Sequence, residues 1–229
     1  MNTAHYIVAF RDVALREVGG TYPRRKDIGV DSRAIRLVAI GDELLAGHGD
    51  PRALGWFGRV LAGTSSDSAQ ITSFALPAPA ETTEELAERW LGEAQRRFAE
   101  DGENRLVLAL SDADATYGVT TARSRLNLAN ILDAATQLGL STFVVGPPPR
   151  LEADRNQEIA RLSAAFADVT TRRNHFYVDA FRPLEKHEQY RADLASNNGV
   201  PGQQGHGLMA WLVMHRGWYT WLGIPEPTR

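Results

Sequence analysis

Two acidic residues, Asp42 and Glu43, directly follow an apolar run in the segment LVAIGDELLAG (37–47). Further acids stand after later apolar runs: Glu81 after ALPAPA, and Asp112 and Asp114 after LVLALS. If the chain brings Asp42, Glu43, Asp112 and Asp114 to one mouth, each ionised carboxylate disfavours ionisation of the next and raises its pKa. That arrangement makes a general acid or base that works near neutral pH. It also suits a cationic substrate or a hard divalent metal ion. The plainer reading gives each acid a local role, with Asp42 in a turn, Glu81 capping or charging the next helix, and Asp112 and Asp114 in water.

Other reactive residue types carry less. DADAT (112–116) opens like a calcium loop but lacks the later Gly and Glu. His175 and Asp179 flank an apolar run and read as structural. KHEQY (186–190) lacks a second His at zinc-helix spacing, and GHGDP (47–51) lacks the Lys of a phosphate loop. His48 reads as a surface-loop residue, and Ser111 as a turn serine without a His partner. The expectation is no metal site and no cofactor.

The elements that must position the acids alternate. IRLVAIG, AQITSFALP, RLVLALS, STFVVGPPP and HFYVDAF read as strands, short and rich in β-branched residues. Helical patterns fall between them. GWFGRVLAG is short. ETTEELAERWLGEAQRRFAE spaces Leu86, Trp90, Ala94 and Phe98 on one face behind a Thr cap. TTARSRLNLANILDAATQLG ends at Gly139. EADRNQEIARLSAAFADVTTRR is long and amphipathic, and GHGLMAWLVMHRGWYTWLG closes the chain as a helix with an aromatic tail. Strand and helix in repeated alternation imply an α/β fold: a three-layer α/β/α sandwich, flavodoxin-like, around a five-stranded, mostly parallel sheet. Ligands of such sheets bind beyond the carboxyl ends of the strands, so the loops starting at Gly41, Pro77, Ser111, Gly146 and Asp179 are the ones to watch. Residues 1–34 precede the pattern as an extension, in which HYIVAF reads as an added edge strand, and residues 35–229 form the domain.

The bulk properties set limits. The chain has 229 residues, 43% hydrophobic and 23% charged, which suits one packed domain. A net charge of −3 points to no nucleic-acid or anionic-membrane partner. Without cysteine there is no thiolate nucleophile, disulfide or Cys-based metal site. No apolar stretch approaches a membrane span and the first residues do not read as a secretory signal, so a soluble, cytoplasmic protein is expected, with a homo-oligomer possible.

Five segments, in order, resemble the SGNH or GDSL-type esterase and acylhydrolase family, from about Arg36 to Leu222. AIGDELLAGHGDPRALGWFGRVLA is similar to its opening block and ALPAPAETTEELAERW to its second. LALSDADATYGVT takes the place of the third, FVVGPPP is the usual fourth strand ending, and NNGVPGQQGHGLMAWLV is similar to the last. The resemblance implies hydrolysis of esters of small acyl or carbohydrate-linked substrates. In that family a Ser attacks the carbonyl, a His takes its proton, and an Asp orients the His. The Ser amide, a Gly amide and an Asn side chain bind the oxyanion. This chain departs at each point. Glu43 stands at the Ser position, Ala80 at the Gly position and Ala113 at the Asn position. Asn198 replaces the Asp, and before Pro201 the His is missing. His206 lies further on, inside the closing helix.

Three readings follow. In the first, the protein is a poor or inactive serine esterase that keeps a pocket for a small-molecule ligand or ester-like substrate. In the second, Glu43, helped by Asp42 or Asp114, acts as general acid or base in a different reaction. In the third, Glu43 activates a water for weak hydrolysis. Tyr117, Asp112 and His206 are further pocket candidates.

Overall fold

The structure, a computed structural model, describes residues 33–64, 69–100 and 102–227. The expected edge strand HYIVAF lies outside them. Five strands form one sheet: β1 (Arg33–Gly41), β2 (Ala69–Pro77), β3 (Glu103–Ala109), β4 (Ser141–Val145) and β5 (Phe176–Val178). The order is β2-β1-β3-β4-β5, and every pair is parallel. β1 starts at Arg33, two residues ahead of the domain boundary expected from sequence.

Alternation along the strands builds two cores. In β1, Leu37 and Ala39 face one helical layer, while Val38 and Ile40 face the other. The second layer contains α2 (Thr83–Ala94), α4 (Thr121–Gln137) and α5 (Ala153–Arg172), which bury Trp90, Ile131 and Phe166 among others. A short helix, α3 (Ala113–Thr116), precedes α4. The first layer contains α1 (Gly55–Gly63), α6 (Phe181–Glu185), α7 (Glu188–Ser196), α8 (Gln203–Val213) and α9 (Tyr219–Leu222). Trp218 and Trp221 pack with Phe143 at ring-centroid distances of 5.3 and 5.1 Å. These aromatics are core, whereas Trp211 is half exposed and stacks on His215.

Local chemistry sets the helix ends. Thr82 and Glu85 form a capping box at α2: the Thr82 hydroxyl accepts from the Glu85 amide, and the Glu85 carboxylate accepts from the Thr82 amide. The closing helix and its aromatic tail are separated by a kink, and the tail forms a short helix of its own. A wide turn over Met214–Trp218 separates α8 from α9, with Gly217 at φ 97°. A side chain at Gly217 would come within 2.8 Å of the Phe176 ring, so this kink needs glycine. Helices α6 and α7 were not legible in the sequence, because α7 buries only Tyr190 and Leu194 and shows no longer apolar stripe. Among the described residues no helix is long and apolar enough to cross a membrane.

The strand ends are level. Gly41 is in register with Pro77 and Ala109, Ala109 with Val145, and Val145 with Val178. A Cβ at Gly41 would lie 2.3 Å from the Ala109 carbonyl oxygen, so β1 and β3 meet closely where the first acids emerge. Phe143 is fully buried beneath both tryptophans. Phe143→Ala should cost about 3–5 kcal/mol of stability, measured by urea denaturation.

Candidate functional site

A cleft of about 170 Å³ opens at the carboxyl ends of β1, β2, β3 and β4. Asp42 and Glu43 reach it from β1, Ala80 from the loop after β2, and Ser111, Asp112, Ala113, Thr116 and Tyr117 from the segment after β3. Arg150 and Arg155 complete the lining from the loop after β4 and the first turn of α5.

Glu43 defines the site. Its Oε2 accepts a hydrogen bond of 2.8 Å from the Ala80 amide. The sequence resemblance sets Ala80 against an oxyanion donor and Glu43 against the nucleophile of the family; the geometry itself shows a carboxylate seated on a backbone amide at the strand ends. Ala80 presents the amide from a left-handed backbone, φ 50°, a conformation that favours glycine. The loop is braced from behind. Arg89 pairs with Glu81 and also donates to the carbonyls of Gly41 and Leu76, 3.3 and 3.1 Å away. Glu81, expected to cap or charge the helix, thus engages a cation on α2 and ties the Ala80 loop to the ends of β1 and β2.

Asp42 lies beneath Glu43 and is almost completely buried. Its Oδ1 accepts from the Leu44 amide, 3.1 Å away. Burial, and then the adjacent Glu43 charge, push its pKa up to about 7. Asp112 is also buried, but Arg150 holds it with two hydrogen bonds, Nε to Oδ2 at 2.9 Å and Nη2 to Oδ1 at 2.6 Å. Burial works against the Arg150 charge. The Asp112 hydrogen bonds and the charges of Asp112, Asp42 and Glu43 outweigh it and hold Arg150 above its ordinary pKa. Three of the four acids expected at one mouth, Asp42, Glu43 and Asp112, gather there, with a cation among them that the sequence reading missed. Arg155 sits at the rim, donating to the Thr116 hydroxyl at 2.9 Å.

Several expected residues lie elsewhere. Asp114 does not line the cleft. It is buried with Oδ1 and Oδ2 accepting from the Thr83 amide and hydroxyl, 2.8 and 2.7 Å, at the start of α2. A carboxylate at a helix N-terminus is stabilised by the amides there, which accounts for its burial. His206 is likewise absent from the lining. It is fully buried in α8 with Nε2 against the His48 carbonyl oxygen, 2.9 Å away, and Nδ1 unpartnered. Asn198, at φ 54°, and Pro201 flank a turn that docks on the loop behind Glu43, where the Asn197 amide group donates to the carbonyls of Gly49 and Val200. Neither lines the cleft.

Ser111 does line it, yet its hydroxyl donates to the Glu81 carbonyl and accepts from the Ala113 amide, 2.6 and 3.0 Å away, as a turn serine would. Tyr117 stands at the rim, 63% exposed. His175 contacts the Thr136 hydroxyl, and Asp179 accepts from the amides that open α6. Among the described residues, no histidine lines the cleft, and no group of three or more His, Cys, Asp or Glu is placed to hold a metal ion.

A parallel sheet under helices, with its cleft at the strand ends and a Gly-Asp turn leaving the first strand, has the architecture of an SGNH-type hydrolase. The family model described as GDSL-like Lipase/Acylhydrolase matches residues 39–208, and the chain belongs to that family. Among solved structures, it resembles an acetylxylan esterase from Geobacillus stearothermophilus with a TM-score of 0.65 and 15% identity, covering 86% of this chain and 99% of that one. It resembles a psychrotrophic esterase from Pseudoalteromonas sp. with a TM-score of 0.63 and 14% identity, covering 82% and 98%. The figures for a lipase/acylhydrolase from Enterococcus faecalis are 0.63 and 17%, covering 85% and 99%. At these identities the likeness is one of fold. No curated protein sequence matches the chain.

The raised pKa of Asp42 has a consequence for stability. The folded state holds a proton that the unfolded chain, near the ordinary aspartate value of 3.8, releases. The associated stability is complete below that value and is lost as pH rises through about 7. From pH 5 to 8, the wild type should therefore lose stability relative to Asp42→Asn. Paired urea titrations of both proteins at several pH values check this.

Proposed function

We propose that this chain is a GDSL-family protein that has given up serine ester hydrolysis and retains the cleft as a small-molecule site. The observation that carries the reading is the Glu43 carboxylate on the Ala80 amide. A substrate carbonyl polarised by that amide would have to displace an anion already bound there. The attacking hydroxyl is missing as well, and the cleft offers no histidine base among the described residues. Loss of the nucleophile or the base alone costs a serine protease about a millionfold in rate. Loss of an oxyanion donor costs roughly 10²–10³. Such losses overlap, but either leaves a poor esterase.

One observation favours a second reading, an enzyme of altered chemistry. Asp42, with a pKa pushed up to about 7, shares the cleft with Glu43. Neighbouring carboxylates of unlike environment can divide the acid and base roles. In this reading one of them takes a proton from water or substrate and the other returns it.

Short-chain p-nitrophenyl esters and a fluorophosphonate label separate the readings. The expected result is no label and no turnover above a heat-inactivated control, in both wild type and Glu43→Ala. Turnover that disappears in Glu43→Ala would favour the second reading. Labelling of a serine, with turnover indifferent to Glu43, would overturn both.

A further inference from the structure

We propose that the cleft takes a small protonated amine, seated on the open oxygens of Asp42 and Glu43 with its carbon chain against Tyr117; this rests on the small-molecule reading above. Each of these carboxylates spends one oxygen on a backbone amide, Asp42 Oδ1 on Leu44 and Glu43 Oε2 on Ala80. The other two, Asp42 Oδ2 and Glu43 Oε1, accept no hydrogen bond from any described residue. Asp42 is 4% exposed, and that remainder opens onto the cleft it lines. Once Asp42 ionises, its open oxygen in so little water calls for a donor, and open oxygens on two consecutive residues call for a ligand with several N–H groups on one centre.

The remaining charges permit a cation. Arg150 is committed to both oxygens of Asp112, and Arg155 is anchored at the rim by Thr116. With Asp42 ionised, above about pH 7, Asp42, Glu43 and Asp112 oppose two arginines, which leaves the lining formally one unit negative. Tyr117, exposed at the rim of the cleft it lines, offers apolar surface to the carbon chain. The cleft volume of about 170 Å³ suits a short aliphatic amine.

Asp42 couples binding to protons. The groups that act on it are Glu43 and Asp112, which raise its pKa, and Arg150, which lowers it. An alkylammonium stays protonated across neutral pH, whereas Asp42 ionises near 7. Affinity should therefore strengthen from pH 6 to pH 8.

The test follows amide NMR shifts of Leu44, Ala80, Ser111 and Thr116 on titration with n-butylammonium, n-butanol or butyrate at matched ionic strength. Millimolar binding is expected for n-butylammonium alone. It should weaken about tenfold in Glu43→Gln and in Asp42→Asn, two variants whose side-chain carbonyls can still accept from Ala80 and Leu44. Tyr117→Ala, a change at an exposed position, should weaken it a few-fold without loss of stability. Binding of butyrate or butanol at least as strong as that of the amine would overturn this proposal and leave the small-molecule site standing. Amine binding unchanged in Glu43→Gln and Asp42→Asn would also overturn it. If none of the three probes moves the amides, the small-molecule reading falls as well.

Discussion

Three carboxylates share one cleft at the ends of adjacent strands, with a proton that Asp42 keeps up to about pH 7 and with a cation among them, Arg150. Its two hydrogen bonds to Asp112 neutralise the acid from β3. Its charge also acts on Asp42 and Glu43 from β1. Taking one partner from a buried, hydrogen-bonded ion pair typically costs about 3–5 kcal/mol, because the other is left charged and dry. The loop after β4 must therefore hold Arg150 in place. Three consecutive prolines, 147–149, restrict its backbone, and the Asn156 side chain bonds both the amide and the carbonyl of Arg150. The cleft at the strand ends depends on that loop as much as on the sheet.

A second constraint follows from backbone chemistry. The family's architecture directs an amide at the point where charge develops on a substrate. Here Glu43 supplies an acceptor for such an amide, since its side chain is long enough to fold back onto Ala80. The segments that the resemblance sets against the family's other site positions also have partners within the protein. The turn at Asn198–Pro201 packs on the loop at Gly49, and His206 supports that loop through the His48 carbonyl. The polar groups of these segments are held in place by the protein, apart from His206 Nδ1 and the open carboxylate oxygens in the cleft.

The fold was legible because its signals are local. Apolar runs of strand length, Thr caps and Gly stops placed the five strands, and the order of the five blocks pointed to the family. The site was legible where residues directly follow strands: Asp42, Glu43, Ala80, Asp112, Ala113 and Tyr117 all line the cleft. It was illegible where a partner comes from a distant part of the chain. Arg150 lies 38 residues from Asp112, and nothing in either segment announces the pair. Asp114 looked like Asp112 in sequence, yet one turn of helix directs it away from the cleft to Thr83, 31 residues back. The kink between the closing helix and its aromatic tail was not legible, because a single glycine does not reveal whether a ring, here Phe176, fills the space beside it.

The proposed loss of ester hydrolysis turns on the Glu43 carboxylate occupying the Ala80 amide, and that hydrogen bond can be observed directly. The measurement is the chemical shift of the Ala80 amide proton in the wild type and in Glu43→Ala at one pH. The expected result is a downfield resonance in the wild type that moves upfield in Glu43→Ala. An Ala80 resonance with the same shift in both proteins would contradict the occupied amide, since the donor would then be free for a substrate.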